Sequence, residues 1–585
     1  MHTQFPEGKP LSREDLIFIH APSVYDFRKE SMFYGPVSDL VPSTPVFEMY
    51  PFGFTTMANQ LYKDGYRVRI INLASMMLND PKLDVEAYLS KLRADVFGID
   101  LHWLPHAHGS LAVAEIIKNL HPASRTLFGG FSSSYFHEEL IRYPQVDLVL
   151  RGDSVEPLMS PLMSALEKGS DLSDIPNLTW KKDGKAVVND LTCVPEDLDY
   201  LDIDYGWIVR SVIKHRDLEG AKPFKDWDRY PITTAFTVRG CSQRCAVCGG
   251  SCGANRRVVG RSRPAFRSPE KVAEDVYNVQ SYLNAPVFVV GDLRQNGDDY
   301  ADRFFREAKR LGVDNHIVLE VFTPAPEDFF EKAASTFDRY SMQFSPDSHD
   351  EKVRYALGRR FDNAAMEKSI SYALSNECQR FDMFFMIGLP EQTAESALNS
   401  ADYVRHLYRD NKNDPRLFLY TSPLAPFLDP GSIAFEDPER FGYRLFARTL
   451  EEHRARLASP NWKDVLSYET RWLTRDQIAE VSYDAADRLN KVRAEVGLMS
   501  KEELESRERR SHDARLLMNE VDRAMGIKDP QEREGTLSRL KERADDLMES
   551  TICQKRELEW DSPGVLRSAP RVIKSLVFRR KSRSG

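Results

Sequence analysis

The chain has 585 residues and a formal net charge of −9, with 42% hydrophobic and 29% charged residues. This length predicts two or three domains, the composition is typical of a globular protein, and the acidic balance disfavours a nucleic-acid-binding surface spread over the molecule. No apolar run reaches the roughly 18 residues of a membrane span, and the first residues lack the apolar stretch of a secretory signal. We therefore expect a cytoplasmic protein.

Short apolar runs alternate with helical patterns in the first part of the chain. They predict strands at 15–21, 66–73, 96–101, 126–128 and 146–150, with helices such as 55–63 and 110–119 between them. This alternation predicts an α/β domain over residues 10–170, with a doubly wound, Rossmann-like parallel sheet covered on both faces. Such a domain binds its ligand outside the carboxyl ends of the strands.

Two loops at that edge of the predicted sheet carry candidate ligand-binding residues. The fourth strand is followed by Gly129-Gly130-Phe131-Ser132, and the fifth by a loop that contains Gly152 and Glu156. Paired glycines permit close approach of a ligand to the backbone, and small hydroxyls can donate hydrogen bonds. Ordinary strand-to-helix turns are the alternative interpretation, because glycine-rich turns are weak signals.

Residues 171–230 are richer in proline and are predicted to connect two domains, with a small hairpin around 177–188. Strand patterns then recur at 233–238, 285–290, 316–321, 340–344, 383–387 and 417–420. Six strand–helix units over residues 231–435 predict a partial (β/α)6 barrel. Residues 436–585 are predicted to form a mainly helical C-terminal extension that ends in a basic tail, interpreted as a solvated tail.

The strongest chemical signal is a group of cysteines directly after the first predicted barrel strand. Cys241, Cys245 and Cys248 have the spacing Cys-x3-Cys-x2-Cys, on a loop at the catalytic end of the barrel. Three thiolates can hold three irons of an iron–sulfur cube and leave the fourth iron open to another ligand. The alternative is a structural zinc ion held by these three residues and Cys252. Cys378 stands apart and is predicted to be a buried structural cysteine.

The cysteine loop resembles that of the radical S-adenosylmethionine superfamily. This resemblance implies a 4Fe–4S cluster on Cys241, Cys245 and Cys248 whose open iron binds S-adenosyl-L-methionine, and cleavage of that cosubstrate to a 5′-deoxyadenosyl radical. It also implies an external electron donor of the flavodoxin or ferredoxin type. The positions that the resemblance assigns to cosubstrate binding are Val247, Gly291, Asp292, Ser345 and Gly388, with Arg359 or Arg360 as candidates for its carboxylate.

A doubly wound domain before such a barrel resembles the cobalamin-binding subgroup of the superfamily. The resemblance places cobalamin against Gly129, Gly130, Ser132, Gly152 and Glu156. One departure concerns the Asp-x-His-x-x-Gly motif of many cobalamin proteins: Asp100-Leu101-His102 begins like it, but Pro105 replaces the glycine. The motif therefore does not identify the lower axial ligand of the cobalt. His102, Trp103, His106 and His108 are candidates to face the corrin, or they pack a loop.

These expectations lead to one main function and two rivals. The main prediction is a cobalamin-dependent radical S-adenosylmethionine enzyme that methylates an unactivated carbon of a small-molecule substrate through the 5′-deoxyadenosyl radical. Ring closure or rearrangement with the same cofactors is the first rival. A zinc-stabilised binding module is the second. The residues do not identify the substrate, and we expect neither a membrane span nor a nucleic-acid partner.

Overall fold

The computed structural model describes residues 13–38, 40, 43–201, 203–547, 552–560, 562, 564–568 and 570–571. It contains two large sheets, one of seven strands and one of six, with helices packed against both. A region of long helices follows the second sheet. None of the helices in the described ranges combines the length and apolar character needed to cross a membrane.

The first sheet has the strand order β2-β1-β3-β4-β5-β6-β7, and its first five strands are parallel. Its strands read as continuous apolar runs, such as Leu16-Ile17-Phe18-Ile19, because apolar clusters cover both faces. The predicted doubly wound α/β domain is confirmed. Its elements are β1 Glu14–His20, α1 Phe52–Lys63, β2 Val68–Asn72, α2 Leu73–Asn79, α3 Val85–Leu89, β3 Ala94–Asp100, α4 Ala107–Leu120, β4 Arg125–Gly129, α5 Phe131–Tyr135, α6 His137–Leu140, β5 Leu148–Leu150 and α7 Glu156–Lys168.

The predicted hairpin is present and belongs to the same sheet. Strands β6 (Leu178–Lys182) and β7 (Lys185–Val188) continue it antiparallel after β5. Helix α8 (Tyr205–His215) follows, and its Trp207 is buried in the apolar cluster on one face of the sheet. This hairpin extends the first sheet beyond residue 170, where the sequence predicts the end of the domain. That boundary stays a prediction.

The second sheet is the predicted partial barrel. Its six parallel strands have the order β15-β14-β13-β12-β11-β8, and all six predicted strands coincide with them. The elements are β8 Thr233–Phe236, β9 Val238–Arg239, α9 Cys252–Val259, β10 Ala265–Phe266, α10 Pro269–Gln280, β11 Val287–Val290, α11 Asp298–Leu311, β12 Ile317–Val321, α12 Glu327–Thr336, β13 Tyr340–Asp347, α13 Glu351–Leu357, α14 Asn363–Ser375, β14 Phe381–Ile387, α15 Ala394–Leu398, α16 Ser400–Asp410, β15 Leu417–Pro423 and α17 Ile433–Glu436.

The C-terminal region is mainly helical, as predicted, and packs against the barrel. A small antiparallel pair precedes its long helices, and apolar residues of α20 and α21 share a core with β14 and β15. The last residues of the predicted basic tail, 572–585, lie outside the described residues. The elements are β16 Tyr443–Leu445, α18 Leu450–Leu457, α19 Trp462–Val465, β17 Tyr468–Thr470, α20 Arg475–Glu495, α21 Lys501–Met525 and α22 Pro530–Asp546.

Candidate functional site

The cysteine loop leaves the barrel at the carboxyl end of its first strands and is held by backbone contacts on two sides. Ala246 N–H donates to the carbonyl of Leu357 at 2.8 Å, and Ala434 N–H donates to the carbonyl of Ala246 at 2.9 Å. Gly358 (φ +101°) lies so close to the loop that a Cβ there would be 2.7 Å from the carbonyl oxygen of Arg244. The loop is therefore fixed between the ends of α13 and α17.

The three thiols of this loop are free and could bind a metal centre as thiolates. All seven cysteines of the chain are free thiols. Backbone N–H groups of Gln243 and Gly250 lie 3.3 Å from the sulfurs of Cys241 and Cys248. Burial raises the pKa of Cys241 to about 11 and also raises the pKa of Cys245, so these two thiols keep their protons unless a metal stabilises the thiolates, while Cys248 is exposed.

The fourth cysteine of the segment does not form a compact set with the other three. Tetrahedral Zn–S bonds of about 2.3 Å would place four sulfurs ~3.8 Å from one another. Among the described residues, which include every cysteine, no three cysteine sulfurs lie within 4.8 Å of one another. Cys252 is the first residue of α9. Cys378 is buried in the barrel core, and its thiol donates to the carbonyl of Arg380 at 3.1 Å.

Gly291 is placed as the sequence predicts, but Asp292 is already paired. Gly291 has φ +96°, and a Cβ would lie 2.6 Å from Thr237 Oγ1, so only glycine fits this turn. The Asp292 carboxylate forms a bidentate pair with Arg294 at 2.6 and 2.9 Å. It also accepts the N–H groups of Arg294 and Phe322, both at 2.9 Å. The predicted role of Asp292 as an acceptor for the cosubstrate ammonium is therefore disfavoured by its contacts.

The acid that the sequence analysis missed is Glu320, on the neighbouring strand β12. One of its oxygens accepts Gly291 N–H at 3.0 Å, and its second oxygen makes no hydrogen bond to the described part of the chain. Burial raises the pKa of Glu320. A single acid in the otherwise apolar strand Ile317–Val321 was the available signal.

Arg359 is partly buried, with its side chain 13% exposed, and its guanidinium is held by contacts within the site. Its guanidinium pairs with Asp347 at 2.5 Å and donates to the carbonyl of Phe322 at 3.0 Å. Asp347 has φ +67°, a strained conformation for a residue other than glycine. Burial raises the pKa of Asp347, opposed by the charge of Arg359. Glu320 and Asp347 therefore place two acids on the neighbouring strands β12 and β13, with the cation of Arg359 paired to Asp347.

The other predicted cosubstrate residues also lie at this end of the barrel. Ser345 is in β13, where the pairing with β14 shifts register between Phe344 and Asp347. Gly388 follows β14 with φ +97°, and its carbonyl accepts the hydroxyl of Tyr443 at 2.8 Å. Val247 is buried in an apolar cluster beside Ala246. These roles remain predictions.

A narrow cleft of about 190 Å³, here called the slot, opens at the carboxyl edge of the first sheet. Its inner part is apolar, and its mouth includes Gly129, Gly130 and His102. Gly130 has φ +110°, and a Cβ would lie 2.3 Å from His102 Cα, so the two loops meet backbone to backbone. Its apolar lining includes Phe18, Phe54, Gly98, Leu127 and Met159. A larger, polar cleft of about 770 Å³ lies at the opposite edge, near the strand starts, away from these loops.

The remaining residues predicted to line the slot make contacts within the protein. Ser132 is buried in α5, and Gly152 N–H donates to Ser134 Oγ at 2.9 Å. Glu156 lines the slot but also pairs in bidentate fashion with Arg239 of β9, at 2.5 and 2.7 Å. Its carboxylate therefore has a structural partner from the barrel, which the sequence analysis did not anticipate.

A second link joins the slot side to the cysteine loop. The Asp429 carboxylate accepts the indole N–H of Trp103 at 3.1 Å and the backbone N–H of Gly249 at 2.8 Å. Gly249 directly follows Cys248, and a Cβ on it would lie 2.9 Å from Asp429 Cβ. The carboxyl edges of the two sheets therefore face each other across Asp429.

Comparisons with known proteins agree with this architecture. Residues 40–161 match the family described as the B12 binding domain. The anaerobic magnesium-protoporphyrin IX monomethyl ester cyclase of Synechocystis sp. is 26% identical over 167 residues, 28% of this chain and 30% of that protein. The alignment therefore spans less than a third of that relative.

Two solved structures share the fold over most of their length. TsrM from Kitasatospora setae, a radical S-adenosylmethionine methyltransferase solved with cobalamin and a 4Fe–4S cluster, has a TM-score of 0.52 and 13% identity, over 74% of this chain and 80% of that one. The cobalamin-dependent S-adenosylmethionine radical enzyme OxsB, solved with aqua-cobalamin and S-adenosylmethionine, has a TM-score of 0.52 and 11% identity, over 98% and 80%. The chain therefore matches the B12 binding domain family over residues 40–161 and shares its overall fold with these two solved structures.

Proposed function

We propose that this protein is a cobalamin-dependent radical S-adenosylmethionine enzyme that methylates an unactivated carbon of a small molecule. The observation that carries the proposal is the placement of the three-thiol loop opposite the slot, with Asp429 bonded to both sides. When bound, the cluster and cosubstrate supply a 5′-deoxyadenosyl radical and the corrinoid supplies a methyl group. One substrate C–H and two cosubstrate molecules, with two electrons from an external donor, yield methylated product, 5′-deoxyadenosine, methionine and S-adenosylhomocysteine.

The chain's own residues have distinct parts in this proposal. Cys241, Cys245 and Cys248 would hold the cluster, on the loop fixed between the ends of α13 and α17. The unpaired oxygen of Glu320 suits the cosubstrate ammonium, and Arg359 suits its carboxylate. The slot would take the nucleotide tail of the corrinoid, because its apolar walls fit a flat aromatic base.

The test is anaerobic reconstitution with iron, sulfide and cobalamin, followed by assay of 5′-deoxyadenosine with cosubstrate and reductant. We expect the wild-type protein to form it and Cys245→Ala to form none. Cys378→Ala is the matched control, because Cys378 is buried away from the loop. Cys252→Ala should retain the cluster. Bound zinc without iron or acid-labile sulfide, or loss of the metal in Cys252→Ala, would contradict the proposal.

Ring closure with the same cofactors is the second candidate, and the similarity to a protein named as a cyclase favours it. The two candidates differ in the product, since only methylation transfers a methyl group from the cosubstrate. Mass spectrometry with deuterated methyl cosubstrate separates them. Label in the product supports methylation, and an unlabelled product that has lost hydrogen supports ring closure.

A further inference from the structure

Gln295 links the turn after β11 to the cysteine loop. It lies in a short 3-10 turn over Leu293–Asn296, and its backbone N–H donates to the carbonyl of Asp292 at 3.0 Å. Its side-chain Oε1 accepts the backbone N–H of Ser242 at 3.0 Å and the Ser242 hydroxyl at 3.1 Å. Ser242 directly follows Cys241. The amide of Gln295 is therefore attached to the loop beside its first cysteine.

The contacts of this amide determine which of its two ends is the nitrogen. The backbone N–H of Ser242 can only donate, so the amide atom that faces it must be the oxygen. The nitrogen Nε2 is buried and has no hydrogen-bond partner in the part of the chain that the structure describes. It lies 3.8 Å from the position that a Cβ on Gly291 would occupy. A buried donor is thus held between the cysteine loop and the Gly291 turn.

The acids of the neighbouring turn do not accept this donor. The Glu320 carboxylate accepts the N–H of Gly291, and the Asp292 carboxylate is paired with Arg294. Buried donors in native proteins are nearly always paired, so an unpaired Nε2 at Gln295 points to an acceptor outside the chain. The sulfurs of an iron–sulfur cluster are such acceptors, and hydrogen bonds to them help to set its reduction potential.

We infer that Gln295 Nε2 donates a hydrogen bond to a sulfur of the iron–sulfur cluster and raises its reduction potential. The inference rests on the proposed function, in which Cys241 is a ligand of that cluster. Reduction adds one negative charge to the cluster, and a hydrogen bond is stronger when its acceptor carries more negative charge. The N–H group therefore stabilises the reduced cluster more than the oxidised one.

The test is a potentiometric titration of the reconstituted full-length protein without cosubstrate, followed by electron paramagnetic resonance of the reduced cluster. Gln295→Met removes both polar atoms of the amide, whereas Gln295→Glu keeps an oxygen for Ser242 and removes the donor. We expect both variants to have a lower midpoint potential. In Gln295→Met, reduction should be about tenfold less favourable, a shift of ~59 mV for one electron. Asn296→Ala is the matched control, because Asn296 is exposed in the same turn, and it should keep the wild-type potential.

The two variants separate a hydrogen bond to the cluster from a purely positioning role. If only Gln295→Met lowers the potential, the Ser242 contacts explain the effect and the inference fails. It also fails if Gln295→Met keeps the wild-type potential, and weaker S-adenosylmethionine binding by that variant would then assign the donor to the cosubstrate. Loss of the cluster in both variants would overturn the inference too, since it would show that Gln295 is required for assembly. If the wild-type protein forms no 4Fe–4S cluster, the proposed function itself fails.

Discussion

The ion pair between Glu156 and Arg239 joins the first α/β domain to the barrel, and its removal gives a specific prediction about stability. Glu156 begins α7 of the first domain, and its side chain is 2% exposed, while Arg239 ends β9 next to the cysteine loop. Thr56 also donates to Glu156 Oε1 at 2.5 Å. Burial alone would raise the pKa of Glu156, but Arg239 holds it below its ordinary value.

Replacing Arg239 by methionine should leave the buried carboxylate of Glu156 without its cationic partner. Removing one partner of a buried pair costs about 3–5 kcal/mol, because the remaining charge is left without compensation. We expect Arg239→Met to lose stability on this scale in the metal-free protein. The double variant Glu156→Gln/Arg239→Met should recover a large part of this loss of stability, because it removes the unpaired charge as well.

The pH dependence provides a check on the cause. In the wild type the pKa of Glu156 is lowered on folding, so its stabilisation is complete above the unfolded value of about 4.3 and is lost only as the pH falls through the folded value. In Arg239→Met, burial should instead raise the pKa of Glu156 on folding. Ionisation then opposes folding, so the loss should be larger at about pH 7.5 than at about pH 5.5.

The assay is guanidinium unfolding followed by tryptophan fluorescence, compared at the first cooperative transition because a multi-domain chain need not unfold in one step. Arg310→Met is the control, since Arg310 pairs with Glu307 on the surface and its loss should leave the transition unchanged. A double variant no more stable than Arg239→Met, or a loss that does not change with pH, would refute the reasoning.

The remaining predictions concern the barrel mouth. Glu320→Gln should weaken cosubstrate binding about 10- to 150-fold, the worth of a hydrogen bond to a charged group, whereas Glu307→Gln should not change the titration. Gly291→Ala should weaken it as well, since φ +96° and the 2.6 Å approach of Thr237 Oγ1 displace the turn; wild-type affinity would contradict this. Asp429→Ala leaves the N–H donors of buried Gly249 and half-buried Trp103 unpaired and should cost ~2–4 kcal/mol, seen as a lower melting temperature.

Features that depend on local pattern could be predicted from the sequence, and those that depend on strand register could not. The strands were evident because both faces of each sheet are buried, which produces apolar runs. Asp292 and Glu320 show the limit. The β11–β12 register pairs Val289 with Leu319, which places Glu320 beside the Gly291 turn. Leu319 faces the helices and Glu320 the opposite side. A motif within one strand contains no information about the neighbouring strand, which here supplies Glu320.

Three of the polar contacts between the first domain and the barrel involve one barrel segment, residues 239–261. Arg239 pairs with Glu156, and Gly249 is bonded through Asp429 to Trp103. A third link comes from Arg261, which pairs with Asp153 at 2.5 Å. All three barrel-side residues lie in 239–261, the segment that contains the cysteines. Buried charged pairs stabilise only one relative placement of their partners, because any displacement leaves desolvated charges unpaired. The first domain therefore fixes the cysteine segment itself, and a substitution at any of these links should alter the thiol geometry even when the barrel is unchanged.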